Sequence, residues 1–257
     1  MKRGFSFKHA IVRKPGRNFS EGITASNLGR TDYETALRQH DAYCETLVKC
    51  GLELLMLEPD PRFPDCPFVE DTAVVTEKFA LIMRPGHSKR RGEEDEIKEV
   101  LSRCKKLEIV ESPGTADGGD ILRVNDHFYI GLSERTNEEG AHQIESIMSK
   151  YGHTTSTITV ENELHLKSAV NYLGNNNIVI QDAFMGLEEF EGLNKIIISE
   201  NEKYAANCLL VNDFLLMPRG FPSAKENIRA LDYRIIELNM TEFRKMDGGL
   251  TCLSIRY

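Results

Sequence analysis

A hairpin pattern recurs along this chain and limits the folds that it can adopt. In each copy, two short runs of alternating apolar residues flank a turn rich in Asn, Asp or Glu, which is the pattern of an antiparallel β-hairpin. Four copies occupy the segments 68–86, 117–137, 169–183 and 206–222. The last residues, 250–257, begin a fifth copy that the N-terminal run 8–13 could complete.

Helical periodicity fills the intervals between the hairpins. The segment 32–50 places Leu37, Tyr43 and Leu47 on one stripe, as an amphipathic helix requires. Shorter helical stretches are predicted at 93–105, 137–151, 188–193 and 223–230. Repeats of roughly 40–50 residues are typical of propellers and arrays. We therefore predict one α/β domain over residues 1–257, with five ββαβ modules around an axis, closed by pairing the first strand with the last. An ordinary mixed α/β sheet is the alternative.

The charge and cysteine content restrict the partners and the compartment. The 257 residues carry a formal net charge of -8, which argues against nucleic acid because phosphates favour clustered Lys and Arg. No apolar run approaches the roughly 20 residues that span a bilayer, and the basic start, 1–8, lacks the apolar core of a signal peptide. The six scattered cysteines would be free thiols in a reducing compartment. We expect a cytoplasmic protein without nucleic-acid or membrane partners.

A cysteine near the C terminus is the first candidate for chemistry. Cys252 follows a glycine pair, Gly248 and Gly249, which brings backbone close to a thiol. His165, in the segment Leu164-His165-Leu166-Lys167-Ser168, supplies a candidate base. Either residue alone is more typical of a protein core. Together with the many carboxylates, they indicate covalent catalysis on a cationic substrate.

Carboxylates cluster at two further motifs. Asp65, Glu70 and Asp71 precede an apolar strand, and alternation along a strand would point Glu70 and Asp71 to opposite faces. Asp117-Gly118-Gly119 repeats as Asp247-Gly248-Gly249 just before the cysteine. The repeat suggests that glycine-lined ends of two modules face one centre. A polar turn is the simpler interpretation of either motif alone.

Arginines follow the predicted strands at module ends. They are Arg84, Arg90, Arg91 and Arg135. A guanidinium binds a carboxylate in a bidentate way, so a substrate with its own carboxylate would need one or two of them. For any single arginine, a surface position is the simpler interpretation.

Six motifs, taken in order, resemble the dimethylarginine dimethylaminohydrolase family. They are FPDCPFVEDTAV, RPGHSKRRGE, DGGDILRVNDHFYIGLSERTN, LHLKS, YAANCLLVN and MDGGLTCLSIRY. The resemblance runs from about residue 8 to residue 257. It implies the five-module pentein fold and hydrolysis of Nω-methylated L-arginines to L-citrulline and dimethylamine or methylamine. The reaction would pass through a thiouronium intermediate on the cysteine and would need no cofactor or metal.

The resemblance also implies roles for individual residues. Cys252 matches the nucleophile and His165 the general acid and base. The other matches are Asp71 and Asp117 for holding the guanidinium, Asp65 and Glu70 for the substrate pocket, Arg90 and Arg135 for the α-carboxylate, and Ile23 and Met246 for backbone contacts to the substrate amine. The glycine-rich segment 15–30 would act as a lid. Zinc could inhibit by binding Cys252 and His165.

Some alternatives stay open at this stage. The position of Asp117 can hold Glu in relatives, and Arg91 could take the place of Arg90. The same nucleophile and base would serve an arginine deiminase that releases ammonia or an amidinotransferase. A non-enzymatic protein that binds arginine-like ligands or zinc is the alternative from another class. Similar enzymes suggest a homodimer, while the preference among dimethyl-, monomethyl- and unmethylated arginine is not readable.

Overall fold

A computed structural model describes residues 6–257. Most of the basic start of the chain, considered above for a signal peptide, therefore lies outside the described residues. The first half contains β1 (His9–Arg13), α1 (Tyr33–Lys49), β2 (Glu53–Leu57), β3 (Ala73–Val75), β4 (Phe79–Ile82), α2 (Glu94–Ser102), β5 (Lys106–Ile109), β6 (Ile121–Val124), β7 (His127–Leu132), α3 (Glu138–Lys150) and β8 (Thr154–Thr159). The second half contains α4 (Leu166–Ala169), β9 (Val170–Gly174), β10 (Asn177–Gln181), β11 (Asn194–Ile198), β12 (Leu209–Val211), β13 (Phe214–Pro218), α5 (Pro222–Arg229), β14 (Arg234–Leu238), α6 (Thr241–Arg244) and β15 (Ile255–Arg256).

The strands form five three-stranded sheets with one repeated topology. In the second module, β3 pairs antiparallel with β4, and β5 then returns parallel to β4 after α2. The modules β6–β8, β9–β11 and β12–β14 repeat the arrangement. The four predicted hairpins are confirmed. Three of the four turns use Asn in the left-handed region, at Asn125 (φ 55°), Asn176 (φ 60°) and Asn212 (φ 53°), where a short polar side chain tolerates that conformation.

The ring closes as the sequence predicted. β1 pairs antiparallel with the C-terminal β15 and parallel with β2, so the two ends of the chain build one sheet. The first strands of the modules, β3, β6, β9 and β12, lie with β15 around the axis and contact one another. We call these five the inner strands. The five-module α/β-propeller is therefore confirmed.

Apolar side chains of the helices and the sheets fill the space between modules. Helix α1 begins at the N-cap Asp32, whose side chain accepts a hydrogen bond from the Thr35 amide. It buries Ala36, Tyr43 and Leu47 against the first and last sheets. Burying a side chain of the size of Leu contributes about 1.5–3 kcal/mol. This packing fixes the positions of the inner strands and of the chain segments that precede them.

Two local expectations were wrong, and a further candidate residue lies outside the strands. The segment 188–193 forms only a 3₁₀ turn, Glu188–Phe190, so the β9–β11 module lacks an α-helix. Glu70 and Asp71 lie in a 3₁₀ turn, Val69–Thr72, and not on a strand. His165 is the N-cap residue of α4, also not on a strand. Acidic residues and histidine are weak strand formers, and all three sit where the chain turns into an inner strand.

The helices also bear on membrane association. Among residues 6–257, none is long and apolar enough to cross a bilayer.

Candidate active site

The candidate residues converge because each precedes an inner strand. Asp71 precedes β3, Asp117 precedes β6, His165 precedes β9, Asn207 precedes β12 and Cys252 precedes β15. Since the inner strands hold equivalent places in their modules, the segments before them meet at one end of the axis. The repeated module predicts this convergence without reference to any motif.

A small cavity at this end of the axis collects most of the predicted residues. Its empty volume is about 350 Å³. All the candidates line it except Glu70 and Asp117; those present are Ile23, Asp65, Asp71, Arg90, Arg135, His165, Met246 and Cys252. Arg91 does not line the cavity, and its Nε donates to the Pro85 carbonyl at 3.3 Å. Of the two arginines left open by the sequence, the structure places Arg90 at the cavity.

Asp117 lies behind the histidine and outside the cavity. Its Oδ2 is 3.0 Å from Nε2 of His165, and its Oδ1 accepts from the Gly86 amide at 2.9 Å. The side chain is fully buried. Both carboxylate oxygens therefore have partners, and the geometry suits orienting His165 better than holding a guanidinium.

The histidine sits in a strongly negative environment. Burial alone would lower the pKa of His165, yet three neighbouring carboxylates outweigh it and raise the pKa to about 9. They are, in order, those of Asp71, Asp120 and Asp117. His165 is therefore an imidazolium at neutral pH, ready to donate a proton.

The Cys252 thiol, unlike the His165 side chain, is uncharged at neutral pH. Cys252 is partly exposed, and Sγ accepts a 3.4 Å hydrogen bond from the Gly249 amide. Burial of the thiol, followed by the charges of Glu70 and Asp71, raises the pKa of Cys252 to about 12. The cysteine is thus a neutral thiol at neutral pH before substrate binds.

Arg90 is held rigidly at the cavity wall. Nη1 donates to Asp71 Oδ2 at 2.6 Å, and Nε and Nη2 both reach the Glu93 carboxylate. Nη2 also donates to the Phe68 carbonyl at 3.2 Å. The residue is 6 % exposed, so burial of its charge depends on these two acidic partners. These contacts fix the positions of both the Arg90 guanidinium and the Asp71 carboxylate.

Arg135 differs from Arg90 because its guanidinium group is not fully paired. Its Nη1 is buried and has no hydrogen-bond partner among residues 6–257. A buried guanidinium nitrogen without a partner is costly. Since Arg135 lines the cavity, this nitrogen is suited to a carboxylate that enters with a ligand.

Glu70 neighbours Asp71 in sequence but faces elsewhere. Its Oε1 accepts from Lys167 Nζ at 2.7 Å and from Arg256 Nη2 at 3.1 Å. Successive side chains in a 3₁₀ turn point about 120° apart, which explains the divergence. Glu70 lines a separate axial cavity between the inner strands. The structure does not bring it into the predicted substrate pocket.

The segment 15–30 covers one side of the cavity. The amide of Ile23 donates to both oxygens of Asp65, at 3.2 and 3.0 Å. Gly22 packs so closely on the Asp65 carboxylate that a Cβ there would overlap it. The predicted lid segment therefore contacts a predicted pocket residue directly.

One group of side chains could hold a metal ion. Asp71, Asp117 and His165 offer three ligand atoms within 4.8 Å of one another. Two carboxylates and an imidazole could bind a divalent cation. Cys252 is not in this group, and zinc binding by Cys252 with His165 stays a prediction.

Sequence reasoning missed several neighbours of the site. Asp120 accepts hydrogen bonds from the Leu166 amide and from the hydroxyls of Ser133 and Thr136, which anchors the loop after His165. Burial raises the pKa of Asp120 to about 6. Its signal was present, because Asp120 directly follows Asp117-Gly118-Gly119. Glu93, the partner of Arg90, carried no signal beyond its spacing.

Comparison with known proteins identifies the family to which this chain belongs. The model of the family described as "N,N dimethylarginine dimethylhydrolase, eukaryotic" matches residues 23–253. A dimethylarginine dimethylaminohydrolase of Pseudomonas aeruginosa is 47% identical over 98% of this chain and 100% of its own. The chain belongs to the dimethylarginine dimethylaminohydrolase family. A member from Streptomyces coelicolor is 34% identical over 97% of this chain and 96% of its own.

Solved structures of the family agree with the fold. The Pseudomonas aeruginosa enzyme, as a cysteine-to-serine mutant complexed with citrulline, superposes with a TM-score of 0.97, 46% identity and coverage of 98% of this chain and 100% of its own. The N-terminal domain of ArgZ, a cyanobacterial arginine dihydrolase bound to product, reaches 0.87 at 19% identity, covering 98% and 97%. The second likeness shows the pentein fold alone.

Proposed function

We propose that this chain hydrolyses Nω-methylated L-arginines to L-citrulline and dimethylamine or methylamine through a covalent intermediate on Cys252. The observation that carries the proposal is one cavity lined by a cysteine, a histidine, three carboxylates and two arginines. The family membership supports it, since the Pseudomonas aeruginosa relative is a dimethylarginine dimethylaminohydrolase whose cysteine-to-serine mutant holds citrulline. A histidine-to-glycine relative forms an adduct with S-methyl-L-thiocitrulline.

The two ends of the substrate meet different walls of the cavity. The α-carboxylate pairs with the unpartnered Nη1 of Arg135, with Arg90 beside it. Backbone at Ile23 and Met246, together with Asp65, receives the α-amine. The guanidinium lies against Asp71, which Arg90 keeps fixed at 2.6 Å. Holding both ends orients the central guanidinium carbon towards Cys252.

In the first half-reaction, substrate binding activates the thiol. A guanidinium beside Asp71 offsets the negative charges that keep the pKa of Cys252 high, so the thiol releases its proton to solvent. The thiolate forms a C–S bond to the guanidinium carbon. Imidazolium His165 gives its proton to the departing amine as the C–N bond breaks. Dimethylamine or methylamine leaves, and a cationic thiouronium remains on Cys252.

In the second half-reaction, His165 works as a base. It is now neutral and takes a proton from a water molecule, which attacks the thiouronium carbon. The tetrahedral adduct then collapses: its C–S bond breaks and the Cys252 thiolate departs. The hydroxyl that came from water releases its remaining proton to solvent, which leaves the carbonyl of citrulline. Asp117, 3.0 Å from His165, positions the ring through both steps and favours its protonated form. We therefore assign Asp117 to the histidine and not to the guanidinium.

Three further expectations extend the proposal. The segment 15–30 acts as a lid, supported by its contacts to Asp65. Zinc inhibits by occupying Cys252 and His165. The protein works as a cytoplasmic homodimer without nucleic-acid partners, which the free state of all six cysteines and the charge of -8 support only in part. Sedimentation velocity tests the dimer, and a zinc titration with and without a chelator tests the inhibition.

The test is a parallel assay of asymmetric dimethylarginine and arginine, with citrulline and the released amine both identified. Citrulline with dimethylamine from the methylated substrate is the expected result. Citrulline with ammonia from arginine alone would make the protein a deiminase. Absence of citrulline from both substrates would contradict the proposal and favour an amidinotransferase or a binding protein.

A further inference from the structure

The segment 15–30 is fastened to the body of the protein on both sides of Ile23. On one side, Asp65 accepts the Ile23 amide, as described above. On the other, Oδ2 of Asp247 accepts the Ala25 amide at 2.7 Å and lies 2.9 Å from the Thr24 hydroxyl. The Thr24 hydroxyl is also 2.9 Å from the Lys245 carbonyl. Neither motif resemblance nor the reaction assigns a role to the Asp247 side chain.

Asp247 holds an unusual backbone conformation to make these contacts. Its φ is +57°, in the left-handed region that costs a non-glycine residue free energy unless its surroundings fix it. Asp247 and its neighbours Met246 and Gly248 all line the catalytic cavity. The following amide, that of Gly249, donates to Sγ of Cys252. One short segment therefore carries both the contact to the lid and the contact to the nucleophile.

We propose that Asp247 is a positioning residue that fastens the lid over the bound substrate and ties its closure to the loop that holds Cys252. The inference rests on the proposed function, because it gives the lid a substrate to enclose. Two donors converge on one charged oxygen, and hydrogen bonds to a charged acceptor are stronger than neutral ones. With the lid fastened, Ile23 stays at the cavity and bulk water is kept from the thiouronium until the amine has left.

Three variants separate the carboxylate from the backbone. Asp247→Gly removes the acceptor but keeps the positive φ, which glycine adopts freely. Asp247→Asn keeps an oxygen acceptor and tolerates the same φ, so it serves as the matched control. Thr24→Val removes only the hydroxyl and leaves the hydrogen bond from the Ala25 amide to the Asp247 carboxylate. Each is compared with wild type by steady-state kinetics on asymmetric dimethylarginine and by hydrogen exchange of peptides covering residues 20–28, measured without substrate.

Asp247→Gly should lower kcat/KM by about 10- to 100-fold, mainly through KM, the range for losing hydrogen bonds to a charged group. Exchange in residues 20–28 should speed up by a similar factor, with the rest of the chain unchanged. Asp247→Asn should stay within about threefold of wild type, and Thr24→Val should lie between them.

Unchanged exchange and unchanged kinetics in Asp247→Gly would overturn the inference. So would an Asp247→Asn variant as impaired as Asp247→Gly in both measurements, because keeping an oxygen acceptor at the same φ would then have no effect. The exchange measurement uses no substrate, so it decides whether Asp247 fastens the lid even if wild-type protein releases no citrulline. Loss of turnover in wild type would count against the proposed function alone.

Discussion

The chain contains the tripeptide Asp-Gly-Gly twice at the catalytic end of the axis, and the two copies do different work. In the first copy, Asp117 is fully buried and bonds His165. A Cβ on Gly118 would overlap the Glu70 carbonyl, and one on Gly119 would come 2.7 Å from the His165 ring. This copy lets the segments that carry Asp71 and His165 pack directly on one another.

In the second copy, the aspartate lines the same cavity as Cys252 and also contacts the segment 15–30. Asp247 has a positive φ and accepts hydrogen bonds from residues 24 and 25. A Cβ on Gly248 would overlap the Phe68 ring, and one on Gly249 would overlap the Asn207 side chain. A Cβ added to either glycine of this copy would therefore collide with a side chain, whereas a Cβ added to Gly118 would collide with the backbone.

The comparison teaches that one motif can bring backbone close to two kinds of neighbour. The first copy contacts His165, and the second links the segment that carries Cys252 to the segment 15–30. The sequence suggested only that both copies face one centre. Substitutions in and beside the two copies should therefore fail in different ways.

The largest expected effect lies beside the second copy. Cys252→Ala should lower kcat by roughly four orders of magnitude or more, because no other group in the cavity can form the C–S bond. Its melting temperature should stay near that of wild type, since removing a partly exposed thiol leaves little cavity. Steady-state assay and thermal unfolding check this. Turnover near the wild-type rate would contradict covalent catalysis by this residue.

The two glycine sites should differ in stability. Gly118→Ala forces a methyl group onto a backbone carbonyl that cannot move away, so we expect a loss of about 3 kcal/mol or more. Gly249→Ala meets the Asn207 side chain, whose movement would break its hydrogen bonds to Lys167 and Thr251 but leave the backbone in place, so a smaller loss of about 2 kcal/mol is expected. Urea unfolding at equilibrium measures both. Equal losses would mean that the distinction between backbone and side-chain contacts is wrong.

The first copy should control the proton on the histidine. Asp117→Asn removes one of the charges that raise the pKa of His165 to about 9, so the pKa should fall. NMR titration of the imidazole, with Asp247→Asn as the control from the second copy, measures the shift. The alkaline decline of kcat, where His165 loses its proton, should move to lower pH only in Asp117→Asn. An unmoved titration would remove Asp117 from its role.

The smallest effect is on stability as a function of pH. The folded-state pKa of His165 lies above the unfolded value, so its contribution is complete below about 6.5 and is lost as pH rises through about 9. In Asp117→Asn this loss should still begin near pH 6.5 but end at a lower pH, and it should be smaller. Urea unfolding at several pH values between 6 and 10 tests it, and a parallel pH dependence in the two proteins would count against the assignment.

Regular elements were predictable because their signals are local. Alternation and turn residues place the hairpins, and the N-cap Asp32 with its apolar stripe places α1. Ring closure followed from unpaired strands at both ends of the chain. Convergence of Asp71, His165 and Cys252 follows from the same repeat, since each precedes an inner strand.

Side-chain direction inside the turns was not predictable. Strand alternation pointed Glu70 and Asp71 to opposite faces, and the resemblance placed both at the substrate pocket; in the 3₁₀ turn the two side chains diverge, and only Asp71 lines the cavity. The roles of Asp120 and Asp247 depend on partners far away in sequence, such as Leu166 and Ala25. Asp117 was expected at the guanidinium, and only the fold shows that both its oxygens are already engaged.

The central claim is that Cys252 forms a covalent bond to the substrate carbon. The direct measurement is peptide mass spectrometry of the His165→Gly variant after incubation with S-methyl-L-thiocitrulline, beside the double variant that also carries Cys252→Ala. The account predicts an added mass on the peptide containing Cys252, with release of methanethiol, and no adduct in the double variant. Methanethiol release with Cys252 unmodified, or the adduct on the exposed Cys104, would contradict it.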